Sequence, residues 1–136
     1  MPFVLDASIA LSWHFEDKVS ELAERVLDRL ETERGHVPSI WPLEVANVLL
    51  MAERRGRLAP AAVARAIELS LRVAVSVHEI PRETALGPVR SLADEQKLTV
   101  YDAAYLHLAM REGLPLATLD QDLRAAAERV GVPLVE

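Results

Sequence analysis

The chain has 136 residues, a formal net charge of −6 and no cysteine. That length fits one domain with a sizeable core, and the missing cysteine excludes disulfides, thiolate metal sites and cysteine nucleophiles. The acidic balance excludes a protein that coats nucleic acid by bulk electrostatics, but not an enzyme that grips it locally through a metal and a few arginines.

Hydrophobic residues make up 51% and charged residues 26%, as in compact soluble proteins. The start, Met1-Pro2-Phe3-Val4-Leu5-Asp6, lacks the basic region and long apolar stretch of a signal peptide. Apolar runs fall short of the ~20 residues needed to span a bilayer. A cytoplasmic chain without a membrane segment is expected, and the absence of cysteine fits a reducing compartment.

In chain order, strands and helices alternate. Residues 1–5 read as a short buried strand and 7–13 as a helix with Ile9, Ala10 and Trp13 on one face. Apolar residues at Leu22, Ala23, Val26, Leu27 and Leu30 recur at helical spacing over 20–33, with Gly35 as the expected stop. A brief strand is expected at 36–39. Residues 42–55 predict a long helix ended by Gly56, and 61–73 another, with Pro60 in the first turn. Val75-Ser76-Val77-His78-Glu79 alternates as a strand does. A helix over 82–96 is weakened or kinked near its start by Gly87-Pro88. The last elements are a helix over 101–111, a strand over 116–119, a helix over 122–130 and a short strand over 132–135. Strands separated by helices imply a three-layer α/β/α sandwich around a mostly parallel sheet, built as a single domain over residues 1–136. There is no linker, repeat or low-complexity segment.

Four acids stand at strand ends or in first helical turns: Asp6, Glu44, Asp102 and Asp120. In an open α/β sheet these positions fall on one edge, where ligands bind. Converging carboxylates repel one another unless a cation sits between them. The pattern points to a divalent metal site, hence to phosphoryl-transfer or phosphodiester chemistry. Each acid alone has a simpler explanation. Asp6 and Asp120 are suitable N-caps, Asp102 completes a capping box with Thr99, and Glu44 suits the positive end of its helix. The apolar surroundings of Asp6 and Asp102 tip the balance, because acids in such company are rarely there for solubility. Asn47 shares a helix face with Glu44 and offers an oxygen or an amide donor. Ser8 and Thr118 place hydroxyls near Asp6 and Asp120, suited to holding carboxylates or water.

Other chemistries fit poorly. The five glycines are scattered, so no phosphate-cradling loop exists. His14, His36, His78 and His107 lack zinc-ligand spacing, and Ser8 has no evident triad partner. Arg54, Arg55 and Arg57 read first as charge complementing a helix C-terminus, and second as phosphate contacts. Trp13, Phe15 and Trp41 read as packing residues, with base stacking or partner binding as the lesser reading.

The motifs Val4-Leu5-Asp6-Ala7-Ser8, Pro42-Leu43-Glu44-Val45-Ala46-Asn47-Val48-Leu49, Leu98-Thr99-Val100-Tyr101-Asp102-Ala103-Ala104-Tyr105-Leu106-His107-Leu108-Ala109 and Leu116-Ala117-Thr118-Leu119-Asp120-Gln121-Asp122-Leu123 occur in that order across essentially the whole chain. In this the chain resembles PIN-domain ribonucleases, and more narrowly the VapC-type toxins of toxin–antitoxin pairs. The resemblance implies a PIN-like, Rossmann-like sandwich and Mg²⁺- or Mn²⁺-dependent endonucleolytic cleavage of RNA. It implies Asp6 and Asp102 as principal metal ligands, Glu44 and Asp120 as the remaining acids, and Asp122 as an accessory. It further implies a homodimer neutralised by a small antitoxin whose C-terminal segment covers the site. Two alternatives keep the α/β frame. One is a PIN-like module that binds RNA or protein with little turnover. The other is a metal-dependent phosphatase, disfavoured because Ser8 stands where such enzymes usually place a second Asp.

Overall fold

A computed structural model describes residues 1–18 and 20–136. Its core is the sheet. Strand β1 (Phe3–Leu5) is buried along its whole length and is joined by β2 (Gly35–Pro38), β3 (Val75–His78) and β4 (Leu116–Ala117). The order is β3-β2-β1-β4, and each pair is parallel. The register sets Val4 against His36 on one side and against Leu116 on the other. A strand buried on both faces has no polar side to show, which is why Phe3-Val4-Leu5 is a continuous apolar run.

Helices form the outer layers: α1 (Ala7–Ser12), α2 (Glu21–Arg29), α3 (Trp41–Arg54), α4 (Pro60–Arg72), α5 (Arg82–Thr84), α6 (Arg90–Gln96), α7 (Val100–Glu112) and α8 (Gln121–Val130). Between α1 and α2 lies a 3₁₀ turn, Glu16–Lys18. Helix α7 packs directly on β1, β2 and β4, with α6 and α8 at its sides, and α1 contacts both α2 and α3. Its central place explains its composition. Ala103, Ala104, Tyr105, Leu106, Leu108 and Ala109 are all buried, so α7 is apolar nearly all round. Among the described residues no helix is long and apolar enough to cross a membrane.

The strand order reverses direction beside β1. From β1 the chain crosses to β2 on one side, and later returns to place β4 on the other. The carboxyl ends of β1 and β4 therefore flank a topological switch point, the usual ligand crevice of open α/β sheets.

Two sequence expectations are corrected here, and a third takes a definite form. Helix α2 ends at Arg29, with Leu30 as its C-cap, so Gly35 does not stop it. Gly35 instead opens β2, where an added Cβ would meet Leu30 Cδ2 at 3.2 Å and Val75 Cγ1 at 3.4 Å. Packing, not termination, accounts for glycine there. The expected strand over 132–135 is reduced to one bridge, Leu134 to Leu116. The kink at Gly87-Pro88 takes the form of a π-helical segment, Ala85–Val89, within a helical stretch that continues into α6. Proline removes an i→i−4 bond and crowds the preceding carbonyl, and widening the turn relieves both.

Candidate active site

Asp6 leaves the carboxyl end of β1 directly into α1. Its N–H still donates to the Ala117 carbonyl at 3.0 Å, so the β1–β4 pairing holds the residue up to the sheet edge. Its backbone occupies the N-cap position of α1 with extended dihedrals, yet its side chain makes no capping hydrogen bond. The carboxylate turns instead toward β4. Oδ2 accepts from Ser8 Oγ at 2.6 Å and from Thr118 Oγ1 at 2.7 Å. Both hydroxyls are themselves held by backbone donors. Leu119 N–H donates to Ser8 Oγ at 2.9 Å, and Asp120 N–H donates to Thr118 Oγ1 at 3.0 Å. Two N–H to hydroxyl to carboxylate relays thus converge on one oxygen of Asp6. Chains of this kind polarise one another and strengthen a charge-assisted bond. Neither relay occupies the other oxygen, Oδ1.

Asp102 comes from the first turn of α7. The capping box expected there is half formed: the Thr99 hydroxyl accepts from Asp102 N–H at 3.1 Å. Glu44 comes from the first turn of α3 and accepts from the Tyr105 hydroxyl at 2.5 Å. Asp120 is a true N-cap of α8, its Oδ1 accepting from Leu123 N–H at 2.9 Å. The four acids, with Ser8, line one open cleft of about 520 Å³.

The electrostatics carry the signature of crowded acids. Burial pushes the Asp6 carboxyl above its usual range; the Ser8 and Thr118 hydroxyls oppose that, and Asp120 adds to it. Asp102 is pushed up to about 6, first by burial and then by the charges of Asp120 and Asp6. Glu44 is raised by burial, with Tyr105 opposing and Asp6 and Asp102 reinforcing. Asp6, Glu44 and Asp102 are harder to ionise chiefly because they are buried, and further because other acids are near.

Among the described residues no three acidic or histidine side chains are gathered closely enough to enclose a metal ion. The donor set nevertheless suits one cation type. All four side chains are hard oxygen donors around a roomy cleft, and Mg²⁺ usually takes one or two carboxylates while keeping several waters. The residues fit a hydrated Mg²⁺ or Mn²⁺ and do not fit a dry protein cage.

The supporting residues divide. Ser8 and Thr118 stand where the sequence placed them. Asn47 is exposed and does not line the cleft, so it does not join the acids. The i+3 spacing puts it near the Glu44 face, but the helix turns that position outward. Asp122 is exposed and faces a separate depression beside Lys97 and Arg129, although its charge still reaches Asp102. Arg54, Arg55 and Arg57 are exposed; Arg57 pairs with Asp17 at 3.5 Å and lies 4.9 Å from the centre of the Phe15 ring. Trp41 and Phe15 are buried, and Trp13 donates to the Ala23 carbonyl at 2.8 Å, so all three are packing residues. One residue at the cleft and one behind it escaped the sequence reading. Lys18 stands at the rim, and nothing in its local sequence marks it. Tyr105 is fully buried on α7, and its apolar neighbours were a usable signal: a buried tyrosine hydroxyl needs a partner.

Comparison with known proteins places the family. The model of a family described as the PIN domain matches residues 3–129. Ribonuclease VapC3 of Pyrobaculum aerophilum is 34% identical over 125 residues, covering 90% of this chain and 92% of its own. Ribonuclease VapC3 of Mycobacterium tuberculosis is 33% identical over 109 residues, covering 80% and 77%. Exonuclease VapC9 of Pyrobaculum aerophilum is 35% identical over 82 residues, covering 60% and 59%. A crystal structure of a Pyrobaculum aerophilum protein superposes with a TM-score of 0.73 at 27% identity, covering 99% of this chain and 84% of that one. VapBC2 from Rickettsia felis, bound to a DNA fragment from its promoter, shares the fold with a TM-score of 0.62 at 12% identity, covering 100% of this chain and 98% of that one.

Proposed function

The chain belongs to the PIN-domain family, among its VapC-type toxin nucleases, and from that premise we propose a metal-dependent endoribonuclease that acts as the toxin of a type II toxin–antitoxin pair. The observation that carries the reading is the cleft itself. Four carboxylates from β1, α3, α7 and α8 line one opening at the switch point of the sheet. In this reading Asp6 and Asp102 hold Mg²⁺ or Mn²⁺, with Glu44 and Asp120 completing the acidic wall. The bound ion supplies Lewis acidity toward the phosphodiester and toward water.

The chain's own groups supply orientation and proton handling. The two relays fix Asp6 in one rotamer, with Oδ1 left for the cleft. Glu44 is held by Tyr105, is half-buried and has a raised affinity for protons, so it suits accepting a proton from an attacking water. Asp120 spends Oδ1 on capping α8 and contributes charge with the rest of its carboxylate. Lys18, at the rim, is placed to meet a backbone phosphate. We extend the proposal to a single domain over residues 1–136 that works as a cytoplasmic homodimer and is silenced by a small antitoxin.

A circular single-stranded RNA tests both the chemistry and the mode of attack. Protein freed of antitoxin should linearise it with Mg²⁺ or Mn²⁺ and not in EDTA, and Asp6→Asn and Asp102→Asn should each abolish cutting. Undiminished cutting in EDTA would sink the metal mechanism. Degradation of linear but not circular RNA would replace the endonuclease with an exonuclease, the activity in the name of one relative. Binding without any cutting would favour a module with little turnover.

A further inference from the structure

The bond between Tyr105 and Glu44 joins two helices whose residues lie 61 positions apart. Tyr105 is fully buried, so its hydroxyl is shielded from water, and the proton it donates goes to this carboxylate. It sits three residues after Asp102 on α7, and residues so spaced share a helix face. One face of α7 therefore does two things. It presents its own acid to the cleft, and it supplies the donor that fixes an acid from another helix.

We propose that Tyr105 is a positioning residue of the cleft: its hydroxyl holds Glu44 Oε1 and thereby aims the remaining oxygen of Glu44 at the reacting groups.

The choice of donor has a physical logic. A glutamate in a first helical turn has three rotatable bonds and a half-open cleft in front of it. Without an anchor it would sample many orientations. A lysine or arginine anchor would fix it but would also cancel part of the negative field that draws a cation into the cleft. A neutral hydroxyl fixes the geometry and leaves the charge. It also offsets part of the burial that works against the ionised form of Glu44. The Asp6 carboxylate is treated the same way, by the neutral hydroxyls of Ser8 and Thr118. Two of the four acids are thus tied down by hydroxyl donors, and cations are kept at the rim.

The inference rests on the nuclease reading above but is tested separately from it. The probes are Tyr105→Phe, Glu44→Gln and the double variant, each assayed for RNA cutting, for Mn²⁺ binding by titration calorimetry and for thermal unfolding. Tyr105→Phe keeps the ring and removes only the oxygen. It should fold and lose about 10–100-fold in Mn²⁺ affinity or in kcat/KM, the usual range for removing an outer partner of a ligand set. In the Glu44→Gln background the same change should add little, because the two residues act through one another. A merely structural tyrosine would give a lowered melting temperature and additive losses instead. Wild-type cutting and Mn²⁺ affinity in Tyr105→Phe, additivity with Glu44→Gln, or failure of Tyr105→Phe to fold would each overturn the assignment. If wild type binds Mn²⁺ but cuts no RNA, the nuclease reading fails while the Mn²⁺ titration still decides the role of Tyr105.

Discussion

Asp6 shows how one residue can satisfy the sequence rule for one role while performing another. By position it is an N-cap, and alanine at an N-cap normally costs about 0.5–2 kcal/mol. Its side chain, however, makes no capping bond and serves as acceptor for two hydroxyls, in a site where the ionised form is disfavoured by burial. Asparagine keeps an acceptor oxygen and removes the charge, so in EDTA Asp6→Asn should be as stable as wild type or more stable. Alanine leaves the Thr118 and Ser8 hydroxyls without their acceptor and should cost about 1–3 kcal/mol relative to asparagine. Thermal unfolding of the three proteins in EDTA reads the order directly. An asparagine variant clearly weaker than wild type would mean that the carboxylate is a structural anchor and not a crowded charge. Asp120 makes the opposite case. Its cap bond to Leu123 is formed, so Asp120→Ala should lose about 0.5–2 kcal/mol of stability in EDTA, and Asp120→Asn most of that less.

At the scale of elements, periodicity and punctuation carried most of the fold. Phe3-Val4-Leu5 announced a strand buried on both faces, and Pro60, Gly56 and Gly113 bounded their helices as their stereochemistry requires. The failures were tertiary. Gly35 looked like a stop because glycine commonly is one, while its real constraint is the nearness of Leu30 and Val75, which no local pattern records. The stretch after Gly131 has strand-like composition but only one residue pairs, because β4 itself is only two residues long. The acids were legible because each sits at an element boundary, and boundaries share an edge of the sheet. Lys18 was not, since its place depends on where a loop passes, and Tyr105 was legible only as a buried hydroxyl in need of a partner, since that partner depends on which helix lies opposite. The packing claim can be checked at Gly35. Gly35→Ala must displace the flexible end of Leu30 by only a few tenths of an ångström, whereas Gly35→Val also has to displace Val75 and should cost about 1–3 kcal/mol by urea unfolding. Equal stability of the valine variant would remove the packing account of this glycine.

The whole molecule carries a net charge of −6 and gathers four of its carboxylates at one cleft, so its stability without metal should depend on pH in an unusual sense. Most acids in native proteins are easier to ionise than in the unfolded chain, and acid therefore destabilises. Asp102 is the reverse, pushed up to about 6 from 3.8, chiefly by burial and then by Asp120 and Asp6. Between those two values the native state holds a proton that the unfolded state has released. The stability from this group is fully present below 3.8 and is lost as pH rises through about 6. Asp6 and Glu44 shift in the same direction. His14, His36 and His107 oppose them, since each is lowered by burial and costs stability as pH falls through 6.5. The histidines are common to wild type and to Asp102→Asn, so the comparison of the two isolates the acid. In EDTA at pH 7 Asp102→Asn should be the more stable, and the gap should close as pH falls from 7 toward 4.5. Glu33, held down to about 2 by Arg29 and the N-terminal ammonium, loses its contribution as pH falls through 4.5, but it too is common to both proteins and cancels in the comparison. Mg²⁺ should shift the balance back toward wild type at pH 7, because wild type gains roughly 2.7 kcal/mol at an ion concentration ~100 times its dissociation constant and the variant loses most of that gain. Unfolding of both proteins across this pH range, with EDTA and with Mg²⁺, measures all of these terms together. A gap in EDTA that does not change with pH would mean that Asp102 is not held above its ordinary range. A Mg²⁺ response preserved in Asp102→Asn would place the ion elsewhere.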